Sequence, residues 1–364
     1  MGDKTKIEWT RGEDGTPGAT WNPVVGCTHV SDGCDNCYAA REASGRLAHL
    51  PLYAGLAEGG KFNGTVRLAP DRLEQPLKWR KPRRIFVNSM ADLFHDSVPD
   101  EFIAQVFVTM ALVPRHTFQV LTKRHGRMRS LLASDGFQVQ CWAASAARGL
   151  DLEGTPWPLP NVWLGVSVEN QQWADIRIPA LLDTPATVRW ISAEPLLGPV
   201  DLNGPVDHLG GRPRLTYWLT GRPNWEPDGV GDGGVWTEAL ATGPHLDWVV
   251  AGGESGPKAR PMHPGWVRSL RDQCAAAGVP FLLKQHGEWV GGTVSAGEHS
   301  DKFIPSSMRQ DGSDWWDWTD PAPGEPWASR IHEWPDGTYS MRVGKRQAGR
   351  LLDGVLHDEY PAVS

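Results

Sequence analysis

The chain has 364 residues, of which 40% are apolar and 22% charged, so it can bury a sizeable core and is not globally disordered. Its formal net charge is −7, and any contact with nucleic acid must therefore come from a local basic patch. No apolar run reaches the roughly 18 residues that a membrane span requires, and the opening segment MGDKTKIEWT is unlike a secretory signal. Five cysteines, an odd number with three of them clustered, argue against a disulfide framework and predict a reducing, cytoplasmic location.

Seven short apolar runs alternate with helical patterns along the chain. Such runs are typical of parallel strands that are buried on both faces. Helices are expected over 100–112 and 265–277, and after Asn170, where Trp173, Ile176 and Leu181 would form one buried stripe. The alternation predicts a full or partial (β/α) TIM-type barrel with parallel strands, with an open doubly wound sheet as the alternative. The predicted strands cover residues 21–26, 84–88, 117–121, 161–168, 187–192, 246–251 and 279–283.

Two segments interrupt this alternation. Residues 201–245 are rich in Gly, Pro and Trp, which predicts an insertion in a barrel loop. Residues 287–364 contain the tract WWDW at 315–318 and several Pro-Gly turns, which predicts a small Trp-rich extension of irregular or β structure. The segment 344–354, GKRQAGRLLDG, is expected to form a closing helix that stops at its last glycine. The predicted units are thus a barrel over 1–286 and an extension over 287–364.

Three cysteines lie close together in the loop after the first predicted strand. Cys27, Cys34 and Cys37 have the spacing C-x6-C-x2-C, and glycines beside them allow unusual backbone angles. Three thiolates in one flexible loop favour a [4Fe–4S] cluster, and three protein ligands leave one iron open for chemistry. Two alternatives stay open: a zinc site with His29 as the fourth ligand, and thiols that bind no metal.

Polar and charged residues follow most of the predicted strands. In either fold the carboxyl ends of parallel strands meet on one face, where the chemistry of such proteins is found. Placing many charges at the ends of buried strands costs free energy unless they are paired or bind a ligand. We therefore predict that most of these residues line one pocket: Ser89, Asp92, Lys123, Arg124, Ser167, Glu169, Glu194, Glu254 and Lys284.

Seven motifs in chain order carry a family resemblance. They resemble the phage-associated, radical-SAM-like three-cysteine family of uncharacterised proteins, which is distantly similar to spore photoproduct lyase. Apart from the two interrupting segments, the resemblance extends over essentially the whole chain. The motifs are TWNPVVGCTHVSDGCDNCYA (20–39), NSMADLFHD (88–96), FQVLTKR (118–124), GVSVEN (165–170), SAEPLLG (192–198), AGGESG (251–256) and GKRQAGRLLDG (344–354).

The resemblance implies an enzyme that cleaves S-adenosylmethionine (SAM). A [4Fe–4S] cluster on Cys27, Cys34 and Cys37 would bind SAM at its open iron, and an external donor would supply one electron to release a 5′-deoxyadenosyl radical. Lys123, Glu194 and Lys284 would be the catalytic side chains. The segment Gly252-Gly253-Glu254 resembles the element that holds the methionine amino group. The cofactor-binding residues implied are Ser89, Asp92, Arg124, Ser167, Glu169, Gly252, Gly253 and Glu254.

A nucleic acid or nucleobase is the substrate that this resemblance implies. The run KWRKPRR at 78–84 could contact phosphates, with Trp79 stacking on a base. We favour the other interpretation, a solvated segment with Trp79 packed on the barrel. The alternative function is a non-catalytic phage or host accessory binding protein, with zinc or a structural cluster on the same three cysteines.

Overall fold

A sheet of seven parallel strands forms the centre of the molecule. The computed structural model describes residues 4–12, 14–152, 154–204, 206–209, 212–221, 223–224, 243–295, 302–305 and 330–362. The strands lie in the sheet in the same order as in the chain, and every neighbouring pair is parallel. They are β1 (Ala19–Trp21), β2 (Arg84–Val87), β3 (Thr117–Thr122), β4 (Val162–Ser167), β5 (Val188–Ala193), β6 (Trp248–Gly252) and β7 (Phe281–Gln285).

The sheet is curled into a half-barrel that is open between its two edge strands. Within the described ranges, β1 pairs in this sheet only with β2, and β7 only with β6. The predicted (β/α) barrel is thus confirmed in its partial form, and a closed barrel is not seen in that part of the chain. Because the strand order never reverses, the sheet lacks the switch point that defines a doubly wound fold.

The first predicted strand, 21–26, is wrong in its boundaries. The strand β1 ends at Trp21, and Pro23 follows, which has no N–H to continue a ladder. Beyond the proline, Val24–Val25 pairs antiparallel with Arg67–Leu68 instead. The chain therefore leaves the sheet five residues earlier than the apolar pattern indicates.

Helices cover the convex face of the sheet. Ile103, Ile178 and Leu270, one from each of three helices, are fully buried in the same core as the outward side chains of the strands. Asn170 caps its helix, because its Oδ1 accepts from the backbone N–H of Trp173 at 3.2 Å. The helices are α1 (Tyr38–Ser44), α2 (Asp100–Ala111), α3 (His125–Leu132), α4 (Asp135–Ala146), α5 (Gln171–Leu182), α6 (Pro264–Ala277) and α7 (Lys345–Ala348).

Tryptophans fill the lower, amino-terminal half of the concave face. Trp163, Trp190 and Trp248 come from β4, β5 and β6, and Trp9 packs on the second of these with ring centroids 5.1 Å apart. Gly165 makes room for this layer, since a Cβ there would lie 2.5 Å from the Trp190 ring. The layer leaves only the upper half of the concave face open to a ligand.

The carboxyl-terminal segment closes the bottom of the half-barrel. Tyr360 stacks on Trp248 with ring centroids 5.2 Å apart, and its hydroxyl donates to the carbonyl of Glu8 at 3.0 Å. The Arg84 guanidinium lies over the same tyrosine ring at 3.9 Å. The two ends of the described chain are therefore joined beneath the tryptophan layer.

Antiparallel sheets lie outside the half-barrel. Between β5 and β6, Val206–Leu209, Arg212–Thr216 and Pro223–Asn224 form a three-stranded sheet. After β7 a four-stranded sheet comprises Trp289–Ser295, Lys302–Pro305, Ile331–Glu333 and Tyr339–Arg342. The tract at 315–318 lies outside the described residues.

The predicted closing helix over 344–354 is wrong. Only Lys345–Ala348 is helical, and Leu351–Leu352 then pairs antiparallel with Val355–Leu356. Asp353 and Gly354 occupy the turn with φ of 51° and 79°. Asp-Gly is a strong signal for a two-residue hairpin turn in which both residues need positive φ. The glycine therefore turns a hairpin and does not end a helix.

Candidate three-cysteine site

A pocket of about 270 Å³ lies at the carboxyl ends of the strands. Its wall is built from the cysteine loop, defined here as residues 26–37, and from residues that follow the strands on the concave face. Ten of the predicted site residues line it together: Cys27, Cys34, Cys37, Ser89, Asp92, Lys123, Ser167, Glu194, Glu254 and Lys284.

The cysteine loop presents its thiols from three local structures. Cys27 follows Gly26, whose N–H donates to the carbonyl of Met90 at 3.1 Å and so ties the loop to the chain after β2. Cys34 ends a 3₁₀ turn, and Cys37 immediately precedes α1. All three are free cysteines and are partly buried.

Burial favours the protonated form of the Cys27 and Cys37 thiols in the absence of a metal. It raises the pKa of Cys27 to about 12 and also raises the pKa of Cys37. A bound metal removes such protons, because only the thiolate is a ligand. The three cysteines thus provide a partly buried donor set, in which a cationic cluster would ionise Cys27 and Cys37 against the effect of burial.

The side chains around the cysteine loop are not arranged around a single metal position in the part of the chain that the structure describes. Across the described ranges, no group of three or more His, Cys, Asp or Glu side chains is placed to hold one metal ion. Cluster thiolates bind different iron atoms, so they surround a larger volume than the ligands of one ion do. His29, the fourth ligand of the zinc hypothesis, pairs with Asp35 at 2.8 Å, and its side chain is 58% exposed.

Glu169, just beyond β4, anchors one side of the cysteine loop. One of its carboxylate oxygens accepts from the Lys123 ammonium at 2.6 Å and from the Ser31 hydroxyl at 2.7 Å. The other oxygen accepts from the buried guanidinium of Arg177 at 2.9 Å. Gly33 is needed at this contact, since a Cβ there would lie 2.4 Å from the carboxylate. Burial opposes ionisation of Glu169, but the two cations outweigh it and lower its pKa.

Glu254, beyond β6, anchors the other side of the loop. Its carboxylate accepts from the Asn36 amide at 2.9 Å and from the Arg260 guanidinium at 2.7 and 3.0 Å. Arg260 also donates to the Asp32 carbonyl at 2.8 Å and pairs with Asp35 at 3.2 Å. The loop that carries Cys34 and Cys37 is thus held between two buried glutamates from different strands.

Glu194 and Lys284 form an ion pair that faces the pocket. The Glu194 carboxylate lies 2.8 Å from the Lys284 ammonium and accepts from the Gln285 amide at 3.0 Å. The two charged side chains are 15% and 19% exposed. Unlike the two anchoring glutamates, this pair does not contact the cysteine loop through any hydrogen bond within the described residues. Its charges can therefore meet a ligand without releasing the loop.

Asp92 supports the start of the segment after β3. Its carboxylate accepts from the Thr122 hydroxyl at 2.7 Å and from the backbone N–H of Lys123 at 2.9 Å. Next to it, Arg124 donates to the Thr28 hydroxyl and pairs with Asp96 at 3.3 Å. Both residues fix the protein around Cys27.

Four predicted residues lie behind the pocket wall. Arg124 and Glu169 reach the cysteine loop from behind, through the contacts given above. Gly252 packs beside the Glu194 side chain, and Gly253 packs against the carbonyl of His286, where a Cβ would lie 1.9 Å away. Gly253 therefore allows the chain after β6 to approach the chain after β7 closely, and Gly252 leaves room for the Glu194 side chain.

The sequence analysis missed several residues that shape the site. Arg177 is buried, although the predicted stripe of α5 included Ile176, which is 43% exposed. Asn36 and Arg260 hold Glu254, and no local signal identified them. Asn88 did carry a local signal in the sequence, because asparagine adopts positive φ more readily than most residues other than glycine do. In the structure the φ of Asn88 is 61°. Its side-chain nitrogen is buried and has no hydrogen-bond partner in the described structure.

The fold and the site define a class of protein: a partial (β/α) barrel with a three-cysteine pocket at the carboxyl ends of its strands. The chain belongs to the family described as "Protein of unknown function (DUF5131)", whose model matches residues 4–361. No curated protein and no solved structure matches the chain. Within the described ranges, the helices are all too short or too polar to cross a bilayer.

Proposed function

We propose that this protein is a cytoplasmic iron–sulfur enzyme of the radical SAM type that modifies or repairs a nucleic acid or nucleobase. The observation that carries the proposal is the meeting of three partly buried cysteines, Lys123 and the Glu194–Lys284 ion pair in one pocket. A site with this much buried charge is costly for stability, which supports a role in ligand binding.

Cys27, Cys34 and Cys37 would hold a [4Fe–4S] cluster. When bound, the cluster supplies one-electron cleavage of the SAM sulfonium to methionine and a 5′-deoxyadenosyl radical, with the electron drawn from an external donor. The protein's own part is to fix the thiolates and exclude water. Glu169 and Glu254 fix them through the loop contacts described above, and we assign both as positioning residues.

Other side chains remain available to bind SAM. The methionine part of SAM carries an amino and a carboxylate group, which Glu194 and Lys284 match in charge. The unpartnered side-chain nitrogen of Asn88 offers a donor to a carboxylate or ribose oxygen. Ser89 and Ser167 line the same pocket and can bond ribose hydroxyls. Asp92 already accepts from three donors, the Thr122 hydroxyl and the backbone N–H groups of Lys123 and Phe94, and we assign it a positioning role as well.

Anaerobic reconstitution with iron and sulfide tests the proposal. We expect about four irons per chain, a broad visible absorption, and 5′-deoxyadenosine when SAM and dithionite are added. Cys34→Ala should abolish both the iron and the product. Cys141→Ala is the matched control, because that cysteine is buried in α4 away from the pocket, and it should retain both.

The same assay separates the proposal from the alternative function. A protein that holds zinc or iron on these cysteines but yields no 5′-deoxyadenosine would be a non-catalytic binding protein. Retention of full iron content by Cys34→Ala would refute the cluster assignment itself.

A further inference from the structure

A second cavity of about 700 Å³ adjoins the three-cysteine pocket. Its wall includes Thr20 of β1 and Gln285 of β7, so it lies at the open side of the half-barrel; we call it the side chamber. The two cavities are contiguous, because they share six lining residues: Tyr38, Phe86, Ser89, Glu194, Ser255 and Lys284.

The lining of the side chamber is strongly cationic, although the whole chain has a net charge of −7. Among the described residues two acidic ones line it, Glu8 and Glu194; Glu194 is paired with Lys284, and Arg46 is paired with Glu42, which lies outside the lining. Such a local concentration of positive charge attracts an anionic ligand. The cationic lining residues are Lys4, Lys6, Arg46, Arg72, Lys284 and Lys345.

Three exposed lysines of the side chamber are available to bind a ligand. Lys4, Lys6 and Lys345 are exposed and form no ion pair within the described residues. Arg72, in contrast, donates to the Tyr53 hydroxyl and the Asn22 carbonyl, both at 3.4 Å. The three lysines can therefore meet phosphate groups without breaking an existing contact.

Aromatic side chains accompany these charges. Tyr38 lines both cavities, and 55% of its surface is exposed, which is unusual for a large aromatic residue. Phe86 lies at the same border. Aromatic faces beside a cationic rim are the features by which proteins hold single-stranded nucleic acids, with bases stacked and phosphates at the cations.

We propose that the side chamber binds a nucleotide unit of the substrate, with phosphates at Lys4, Lys6 and Lys345 and the base against Tyr38. The base would then lie at the border with the three-cysteine pocket. This proposal rests on the proposed function in one respect only: it takes the bound nucleotide to be the substrate of the enzyme. The binding itself stands on the charge and the aromatic lining.

The basic run at 78–84 is a poorer candidate for this role. Trp79 is 6% exposed and belongs to the main core, so its ring cannot stack on a base. Arg84 is also buried, beneath Tyr360. The run therefore provides a matched control, because Lys78 and Lys81 are exposed like the chamber lysines.

Fluorescence anisotropy of the full chain with a labelled single-stranded oligothymidylate tests the proposal, without SAM or reductant. The double variant Lys4→Ala/Lys6→Ala should bind about tenfold more weakly, and its salt slope should fall by about 1.4, or 0.7 for each lost phosphate contact. Tyr38→Ala should also lose about tenfold. The double variant Lys78→Ala/Lys81→Ala should bind as the unchanged protein does, and circular dichroism should show all variants folded.

Two competition experiments with unlabelled ligands show whether the bound nucleotide is free or part of a strand. Displacement of the probe by thymidine monophosphate supports a free nucleotide, and displacement only by longer oligomers supports a strand; either agrees with the proposal. The proposal is refuted if none of the probes binds. It is also refuted if the only variant with weakened binding is Lys78→Ala/Lys81→Ala. The 5′-deoxyadenosine assay is independent of this result. Binding without SAM cleavage would refute the enzyme, and cleavage without binding would refute the chamber.

Discussion

Replacing Glu169 by alanine should destabilise the fold and release one side of the cysteine loop. The side chain is completely buried and accepts from Lys123, Ser31 and Arg177 at 2.6–2.9 Å. The change leaves the fully buried Arg177 guanidinium without its counter-charge. Breaking a buried ion pair by removing one partner costs about 3–5 kcal/mol, and we expect Glu169→Ala to lose that much free energy of unfolding.

Urea unfolding of the metal-free chain, followed by circular dichroism, measures this loss. Glu42→Ala is the matched control, since it breaks a surface ion pair with Arg46, whose side chain is 68% exposed. Its unfolding midpoint should be unchanged within error. Iron content after reconstitution should fall in Glu169→Ala and not in the control. A loss below about 1 kcal/mol for Glu169→Ala would refute the idea that this carboxylate anchors the loop.

The same contact predicts a pH dependence. Burial opposes ionisation of Glu169, but Lys123 and Arg177 lower its pKa from the ordinary 4.5. A carboxyl group with a lowered pKa in the folded state stabilises the protein above pH 4.5, and this stabilisation is lost as the pH falls through the folded-state pKa. The gap in unfolding free energy between wild type and Glu169→Gln should therefore be largest near neutral pH and narrow below pH 4.5. A gap that stays constant across this range would contradict the assigned ion pairs.

Three further substitutions test local packing. Gly33→Ala should lower the iron content per chain, because its Cβ would lie 2.4 Å from the Glu169 carboxylate; full loading would contradict the close approach. Gly165→Ala should cost about 1–3 kcal/mol in urea unfolding by overpacking against Trp190, and a neutral effect would show that the ring can move. Asn170→Ala removes the cap of α5 and should cost about 1 kcal/mol, which an unchanged unfolding midpoint would exclude.

The sheet could be predicted because its strands are buried on both faces. The run VWLGV at 162–166 is apolar and buried at every position, since one face meets the helices and the other meets the tryptophan layer. Whether the sheet closes into a complete barrel could not be predicted. It depends on whether β1 and β7 pair, and no local sequence pattern encodes that contact. The hairpin at 351–356 was missed although Asp353-Gly354 signals it, because the glycine was interpreted as a helix stop.

The membership of the pocket could be predicted, but the division of roles within it could not. Parallel strands bring their carboxyl ends to one edge, so ten of the predicted residues meet there. Whether a glutamate anchors the loop or faces a ligand depends on partners far away in sequence. Glu254 and Asn36 are 218 residues apart, and Glu169 and Ser31 are 138 apart. Such pairs leave no periodic pattern in a single chain.

The hydrogen bond between Tyr360 and Glu8 has a consequence for synthesis in the cell. It joins residues 352 positions apart, so it forms only after Tyr360 has left the ribosome, long after the strands β4 to β6 that carry the tryptophans. Until then the underside of the tryptophan layer lacks its cover, and a nascent chain exposes aromatic surface that promotes aggregation. Chaperones should matter most to this protein in the interval between the synthesis of β6 and that of Tyr360.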